Sequence, residues 1–385
     1  MIPSFGNEEI VEALDSMFST YVTMGKKVRL FEEKFARYVG SKYAIMVNSG
    51  SSANLVILAA LKELGYLDDG DRVLTPALTW ATTIFPIIQL GLRPVFADVD
   101  LDTMVFGSNQ LDFLNLSNIQ AIMPVHLLGN PCEMDCLTQI TNKYNAILIE
   151  DCCEAHGARY NNKHVGTFGM AGTFSFSISH HISTIEGGMI VTDDKDVYNI
   201  CKGLRQFGWV RDRYDKDIIE KDYPKIDNRF LFVNCGYNFK PTEIQGAFGI
   251  HQIDKLDKFI DIRKNNADFW IKSLKSDYIT PQKRNDDCSE FAFALTVQPN
   301  APFTRDDLMI FLEENGIETG PIMAGNILEQ PVMEFMSDKY DVIGSLCNTE
   351  YIADNSFFFG NHHGIGELER LYVKDVIYSF FGQYT

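Results

Sequence analysis

The stretch AIMVNSGSSANLVILAALKELG, residues 44–65, joins a short apolar run to a longer helical pattern through a polar turn. AIMV has the length and composition of a buried strand, whereas SSANLVILAALKELG repeats its apolar residues with helical spacing. Further short apolar runs recur at intervals that leave room for helices: RVLT (72–75), PVFADV (94–99), AIMPV (121–125) and AILIED (146–151). This alternation predicts an α/β fold with a mostly parallel sheet that is covered on both faces.

The rest of the chain suggests two domains. Residues 1–245 would form an N-terminal segment and a large domain, in which GTFSFS (172–177) and GGMIVTDD (187–194) add two strands. Residues 246–385 would hold a connecting helix and a small α+β domain, because a long amphipathic pattern begins near Pro241.

Three further expectations concern elements outside the large sheet. FAFALTV (291–297) reads as a strand of the small domain, with helices over 305–316 and near 366–381. The first 40 residues carry two amphipathic helices that would pack with the C-terminal part. The polar stretch 211–229 is the best candidate for a mobile surface loop.

The charge balance limits the kinds of partner. With 34 Lys and Arg against 52 Asp and Glu, the formal net charge is −18, which disfavours nucleic acid and anionic membranes. An anionic substrate would therefore need local donors. No apolar run approaches the roughly 20 residues of a membrane span, and the N-terminus lacks a signal-peptide pattern. We expect a cytoplasmic enzyme.

The cysteine pattern predicts free thiols and no metal site. Eight cysteines occur without a secretion signal, a context in which disulfides are rare. Cys132 and Cys136 lack a second close pair that would complete a zinc site.

The polar turn after the first strand could bind an anion. Gly50 and Ser51 open the predicted helix, so their backbone N–H groups would point toward a phosphate or carboxylate. A serine-rich helix start is more often an ordinary cap, and the turn alone is weak support.

Several other residues could serve an aromatic cofactor. Asp151 ends the predicted strand AILIED, at the sheet edge where open α/β folds bind ligands, and Glu154 follows three residues later. Trp80 offers a flat face for stacking, although a core tryptophan is the more common reading.

The run FSFSISHHISTIEGG, residues 174–188, contains adjacent histidines flanked by polar residues. Ser175 could present its hydroxyl to a phosphate, and the imidazole of His180 could take and give a proton near neutral pH. Arg205 and Arg211 of RQFGWVR, together with Lys240, are cations that could bind phosphate or carboxylate, or form surface ion pairs.

In combination these motifs resemble the DegT/StrS sugar-aminotransferase family of pyridoxal 5'-phosphate (PLP) enzymes over nearly the whole chain. The motifs are the segment 23–54 ending in NSGSSAN, Trp80, the pair Asp151 and Glu154, SHHIST.EGG, QFGW, GYN.KP.E and GNHH (360–363). The resemblance implies a fold-type-I, aspartate aminotransferase-like large domain with a mixed sheet, and a homodimer with shared active sites.

The resemblance also implies roles for individual residues. Gly50, Ser51 and Ser175 would hold the cofactor phosphate, with Asn238 reaching across from the second subunit. Trp80 would stack on the ring, Asp151 would pair with the pyridine nitrogen, and Glu154 would approach the ring oxygen. Substrate contacts would come from six further residues: His181, Arg205, Trp209, Arg211, Lys240 and Asn326.

His180 occupies the position at which this family usually has a lysine that holds the cofactor covalently. Within the family, histidine there marks the sugar 3-dehydratases, in which the cofactor is bound as PLP or pyridoxamine phosphate (PMP) without a lysine link. This implies removal of the C3 hydroxyl from a nucleotide-linked 4-keto-6-deoxysugar in dideoxysugar biosynthesis for surface polysaccharide. His180 would be the base, and L-glutamate would regenerate PMP.

Two alternative functions and one departure from the family's usual residues remain. A branch acting on CDP-sugars uses an iron–sulfur cluster with a Cys-x-Cys element, which does not occur here. A catalytically silent PLP-binding scaffold or regulator is the third reading, although the other cofactor residues are retained. In ETGPIMAGN (318–326), Gly320 stands where this group usually has arginine, which leaves the identity of the sugar open.

Overall fold

Two larger sheets and a two-stranded one, with surrounding helices, organise the chain, which the computed structural model describes over residues 3–384. The strands of this part are β1 Tyr43–Val47, β2 Arg72–Pro76, β3 Arg93–Ala97, β4 Ala121–Ile122, β5 Ile147–Asp151, β6 Arg159–Tyr160, β7 Lys163–His164, β8 Ala171–Ser175, β9 Gly188–Thr192, β10 Ile279–Pro281, β11 Ala292–Val297, β12 Thr319–Pro321, β13 Asp341–Val342 and β14 Ser356–Gly360. The α-helices are α1 Asn7–Phe18, α2 Lys26–Val39, α3 Gly50–Glu63, α4 Ala81–Gln89, α5 Ser108–Leu111, α6 Met134–Tyr144, α7 Lys195–Leu204, α8 Lys216–Asp222, α9 Glu243–Ser273, α10 Arg305–Glu314, α11 Pro331–Glu334, α12 Cys347–Asn355 and α13 Glu367–Phe381.

The large sheet has eight strands in the order β1-β9-β8-β5-β4-β2-β3-β13. Strand β9 runs antiparallel to both of its neighbours, and the other pairings are parallel. The mostly parallel, mixed sheet expected from the apolar runs is thereby confirmed.

Helices cover both faces of this sheet, which explains why its strands read as nearly continuous apolar runs. On one face α3 and α7 bury Ile45, Ile149 and Ile190 of the strands. On the other face, Phe31 and Phe35 of α2 pack against Phe174 and Phe176, with ring centroids 5.0–5.3 Å apart.

The N-terminal helices α1 and α2 pack along α9, a helix of 31 residues, which at 1.5 Å per residue is roughly 46 Å long. The Thr242 hydroxyl accepts a hydrogen bond from the backbone of Gln245, whose side chain accepts one from the backbone of Thr242. This reciprocal cap fixes the start of α9 just after Pro241.

The small sheet is antiparallel throughout, in the order β10-β11-β14-β12. The C-terminal half of α9 packs on it through Trp270, whose ring lies 5.1 Å from that of Phe293 and 4.9 Å from that of Phe359. Helices α10 and α13 complete the same apolar cluster.

The C-terminal part also contributes to the large sheet. Strand β13 pairs in parallel with β3, and Arg93 donates to both carboxylate oxygens of Asp341 at 2.9 and 2.8 Å. Strand β13 thus ties the C-terminal part of the chain to the edge of the large sheet. The division of the chain into two domains at residue 245 therefore stays a prediction.

We expected the segment 211–229 to be a mobile surface loop, but it contains the helix α8. No residue of α8 is buried, so the helix lies on the surface. Its seven residues are too few to show helical periodicity in the sequence. None of the helices within residues 3–384 combines the length and the apolar character needed to cross a bilayer.

The small sheet offers a test of this packing. Phe357 is fully buried in β14, so Phe357→Ala should lower the free energy of unfolding by about 3–5 kcal/mol. Phe113, which is 87% exposed, is the matched control, and Phe113→Ala should change that free energy by less than about 0.5 kcal/mol. Urea denaturation followed by circular dichroism measures both, and equal losses would contradict the described packing.

Candidate active site

A cavity of about 1110 Å³ lies between the large sheet and the small sheet. Its wall includes Asp151 at the carboxyl end of the parallel strand β5, as expected for a ligand site of an open α/β fold. The small sheet contributes Phe291 and residues 358–363. Seven of the residues singled out in the sequence line it together: Gly50, Ser51, Trp80, Asp151, Glu154, Ser175 and His180.

One end of the cavity is a cradle at the N-terminus of α3. The Ser49 side chain caps the helix by accepting a hydrogen bond from the backbone of Ser52, while Gly50 and Ser51 face the cavity. Ser175, at the end of β8, lies so close that a Cβ on Gly50 would be 2.6 Å from its Cβ. Helix N–H groups and serine hydroxyls together form a site for a phosphate group.

Gly188 brings the backbone of β9 against the same turn. A Cβ at this position would lie 2.1 Å from the carbonyl oxygen of Ser49. Any side chain would therefore push the cradle away from the sheet, which explains the glycine at the end of the EGG sequence.

Asp151 is held rigidly at another point of the wall. Its Oδ2 accepts hydrogen bonds from Asn54 Nδ2 and Thr83 Oγ1, both at 2.9 Å, and its Oδ1 accepts one from the backbone of Cys153 at 3.1 Å. Because Oδ1 has one such partner, it retains acceptor capacity for a protonated ring nitrogen.

Glu154 accepts a hydrogen bond from the backbone of Leu128 at 2.9 Å. Burial, with a smaller contribution from the charge of Asp151, raises its pKa to about 8. Near neutral pH its carboxyl group is therefore largely protonated and can donate a hydrogen bond to a ring oxygen.

Trp80 lies at the N-terminal end of α4 and lines the cavity with 57% of its surface exposed. Such exposure is unusual for a large aromatic side chain and leaves a flat surface for a ligand ring.

His180 lies in the turn between β8 and β9, with its ring 5.4 Å from that of Phe291 and 5.8 Å from that of His156. Burial, helped by the charge of Arg263, lowers the pKa of His180 to about 4. Its imidazole is therefore a neutral proton acceptor at physiological pH. Nδ1 is buried without a hydrogen-bond partner among the described residues.

The loop that carries His180 back to β9 includes a strained residue. Ile185 has a φ of 72°, a left-handed conformation that is costly for a β-branched side chain. The Ser183 hydroxyl accepts from its backbone N–H at 2.9 Å, and the Thr184 hydroxyl donates to the Glu186 carbonyl at 2.8 Å. These bonds fix the course of the loop beside the cavity.

Three residues predicted as substrate contacts are buried elsewhere. Arg205 pairs with Glu32 at 2.5 Å and donates to the Met46 carbonyl at 2.7 Å, so it ties α2 to β1. His181 is fully buried, with Nε2 2.9 Å from the Ser289 carbonyl. Asn326 caps a short 3-10 turn by accepting from the backbone of Leu328. None of the three lines the cavity, because each is occupied by internal contacts.

The remaining predicted residues form a surface group outside the cavity. Trp209 stacks on Phe232 with centroids 5.5 Å apart, and the Arg211 guanidinium lies over the Trp209 ring. Lys240 donates to Asn238 Oδ1 at 2.6 Å. Within one chain these side chains contact one another and no cavity residue among those described.

Several residues of the site were missed in the sequence. Asn54 holds Asp151 from behind the cavity wall, and Arg263, His362 and His363 line the wall itself. The histidines belong to GNHH, which contributed to the resemblance without a role. Arg263 had only a weak signal, an arginine within a long amphipathic helix.

One cluster of three potential metal ligands occurs within residues 3–384: His126, Glu150 and Cys152, all fully buried. Their atoms already have structural partners. Glu150 accepts from the backbones of Gly166, Phe168 and Gly169, and His126 Nδ1 accepts from that of Cys132. The arrangement is a hydrogen-bonded support for the loop after β7.

The donor set of the cavity fits PLP. The glycine and serine cradle suits its phosphate, Asp151 suits a pyridinium nitrogen, Glu154 suits the ring oxygen, and Trp80 suits the ring face. No lysine side chain lines the cavity within the described residues, so the cofactor would be bound without a covalent link.

Comparisons with known proteins agree with this architecture. The chain is 41% identical over 350 residues to the GDP-4-keto-6-deoxy-D-mannose 3-dehydratase of Yersinia pseudotuberculosis, covering 89% of this chain and 88% of that protein. It is similar to a crystal structure of a GDP-4-keto-6-deoxymannose-3-dehydratase variant with bound GDP-perosamine, with a TM-score of 0.93, 37% identity and 98% of both chains covered. A second such structure holds a trapped PLP–glutamate geminal diamine and has a TM-score of 0.89, 36% identity and the same coverage.

The family comparison extends over nearly the whole sequence. A model of the DegT/DnrJ/EryC1/StrS aminotransferase family matches residues 3–377, which include both sheets and the complete cavity wall. The chain belongs to the DegT/DnrJ/EryC1/StrS aminotransferase family.

Proposed function

We propose that this protein is a PLP-dependent 3-dehydratase that removes the C3 hydroxyl group of GDP-4-keto-6-deoxymannose. The observation that carries the proposal is His180, a neutral imidazole in the cavity where the family usually has lysine, beside an otherwise complete set of cofactor residues. The similarity to named GDP-4-keto-6-deoxymannose 3-dehydratases supports the choice of substrate.

When bound as PMP, the cofactor supplies an amine that condenses with the sugar ketone and a ring that accepts electrons from the reacting carbon. Asp151 would keep the ring nitrogen protonated, and protonated Glu154 would donate to the ring oxygen. Trp80 would cover one ring face and exclude water from it.

His180 would move protons at the reacting carbon through Nε2. Because its pKa is low, its imidazole is uncharged at neutral pH, with one ring nitrogen free to accept a proton. His156 and Phe291, packed beside it, restrict its ring to one region of the cavity wall.

The two alternative functions have less support. An iron–sulfur enzyme would need clustered thiolates, whereas the described residues bring no group of three cysteines together. A silent scaffold would have no use for the precise support of Asp151 by Asn54, Thr83 and a backbone N–H.

We further propose that L-glutamate restores PMP after each turnover. The similar structure in which PLP and glutamate were trapped together supports this donor. A cytoplasmic location, and a place in dideoxysugar synthesis for surface polysaccharide, stay predictions.

We also propose a homodimer in which Asn238 completes the phosphate site of the partner subunit. Asn238 lies outside the cavity of its own chain. The surrounding segment exposes large apolar side chains that a second copy could cover: Phe207, Ile218, Tyr223, Phe230 and Phe232.

Replacing the proposed base should abolish deoxygenation while sparing the fold. His180→Asn should lower kcat by about 10²–10⁴-fold, since a positioned base contributes that much. The assay follows loss of the sugar hydroxyl by mass spectrometry. The control is His251→Asn, a partly exposed histidine beside Glu12, and full activity of the His180 variant would refute its role.

The acid limb of the pH profile should lie below that of an ordinary histidine. A base must be deprotonated, so kcat/KM for the sugar should persist as the pH falls through 6.5 and decline toward the pKa of about 4. Measuring kcat/KM of PMP-loaded protein from pH 4 to 8 tests this. A half-maximal value near 6.5 would show that burial does not hold His180 neutral.

A shared active site can be tested by subunit mixing. His180→Asn and Asn238→Ala chains should each be impaired, but their mixed dimer contains one site with both residues intact. Random reassociation should therefore restore about a quarter of wild-type activity. Absence of recovery, with mixed dimers verified by affinity tags, would place Asn238 outside the partner's site.

A further inference from the structure

Arg263 is an isolated cation in an acidic cavity. It is the one arginine or lysine among the described residues of the wall, which also carries five carboxyl groups: Asp151, Glu154, Glu186, Glu318 and Glu369. Since the whole chain has a net charge of −18, an anionic ligand entering the cavity meets few attractive groups.

The guanidinium of Arg263 is only partly satisfied. Nη1 donates to the carbonyl oxygens of Phe291 at 2.7 Å, Glu290 at 3.4 Å and Asn361. No acceptor for Nε or Nη2 occurs in residues 3–384, and Nε is buried. Because Nε is not accessible from the cavity, Nη2 is the nitrogen left to donate to a ligand.

The positive charge is buried without a direct ion pair. Arg263 is 3% exposed, and the carboxylate whose charge acts on it, that of Glu290, is itself paired with Arg284. A desolvated charge held mainly by backbone carbonyls is unfavourable, which favours an anion at Nη2. Its electrostatic influence reaches the neighbouring histidines and lowers the pKa of His362 together with burial.

Arg263 and His180 are linked through Phe291. The Phe291 ring packs 5.4 Å from the His180 ring, and its carbonyl oxygen accepts a hydrogen bond from Arg263 Nη1. Both side chains line the same cavity, so an anion bound at Nη2 would share that cavity with the proposed base.

We propose that Arg263 binds the α-carboxylate of the amino donor through Nη2 and so orients the donor toward His180. The inference rests on the proposed function and adds the residue that recognises glutamate. In an amino acid the α-carboxylate is one bond from the carbon that loses its proton, which suits a cation beside the base.

The diphosphate of the GDP-sugar suits this position less well. It is bonded to the sugar C1 and carries two negative charges, whereas Arg263 has Nη2 alone to offer. Gly320 offers no cation on β12, where a Cβ would lie 3.0 Å from the Phe358 ring. Arg263 therefore suits the smaller, singly charged carboxylate.

The test separates the donor reaction from the sugar reaction. Wild-type protein loaded with PLP is mixed with L-glutamate or with L-isoglutamine, whose α-carboxylate is an uncharged amide, and PMP formation is followed by absorbance. Glutamate should be preferred by at least tenfold in kcat/KM, since a charge-assisted hydrogen bond is lost with the amide.

Three variants are compared on the same substrates. Arg263→Gln should raise the KM for glutamate at least tenfold and abolish the preference over isoglutamine, whereas Arg263→Lys should restore part of it. Single-turnover deoxygenation by PMP-loaded Arg263→Gln is the comparison, and the donor reaction should lose at least tenfold more than deoxygenation does. Arg93→Gln, at the far edge of the large sheet, should leave both reactions unchanged.

Each outcome decides the question. A retained preference for glutamate in Arg263→Gln, or a loss confined to the GDP-sugar reaction, would overturn the assignment. If wild-type protein forms no PMP from glutamate, the proposed donor fails, and calorimetric binding of glutamate to the same samples then decides the role of Arg263. Binding to wild type but not to Arg263→Gln would support it, and equal binding would overturn it. If Arg263→Gln does not fold, PMP formation and the calorimetric binding of glutamate are measured on Arg263→Lys instead. Those results, together with the preference of wild-type protein for glutamate over isoglutamine, then decide the role of Arg263.

Discussion

The close approach of two backbones, at Ser49–Gly50 and at Gly188, is the constraint on which the site depends. It places the N-terminus of α3 beside Ser175 at the end of β8 and leaves no room for a Cβ on either glycine. The same contact fixes where β9 begins, and therefore the length and course of the loop that bears His180. The phosphate cradle and the proposed base are thus positioned by a single backbone contact.

The chemistry of the cavity depends on the protonation states that burial imposes as much as on the shape of the cavity. Burial makes His180 neutral and Glu154 largely protonated near pH 7, so each departs from the form that it would have in water. Asp151 is held in place by the three hydrogen bonds that it accepts. One cavity wall therefore presents a neutral proton acceptor, a protonated acid and a firmly held hydrogen-bond acceptor.

The sequence predicted the large sheet well because its strands are buried on both faces. The run AILIED anticipated β5, and AIMV anticipated β1 to within one residue. The two-residue strand β13 and the short helix α8 escaped detection, since neither is long enough to show a period. Cavity residues close to strand ends and helix starts were identified from the same logic.

Residues whose position depends on long-range packing could not be assigned in this way. Arg205 and Arg263 are both arginines within helical or turn segments, yet one is neutralised by Glu32 and the other faces the cavity. The difference arises from contacts with distant residues. Arg205 contacts Glu32 and Arg263 contacts Asn361, and each partner is more than 90 positions away along the chain. Local patterns carry no information about such partners.

The pairing of β13 with β3 has a consequence for aggregation. Without β13, β3 would be a bare edge of the large sheet, with apolar residues and unpaired peptide groups able to recruit a strand from another molecule. Two residues of β13 and the ion pair between Arg93 and Asp341 occupy this edge. The C-terminal third of the chain thereby protects the sheet, and release of this segment during partial unfolding would expose a template for intermolecular β-pairing.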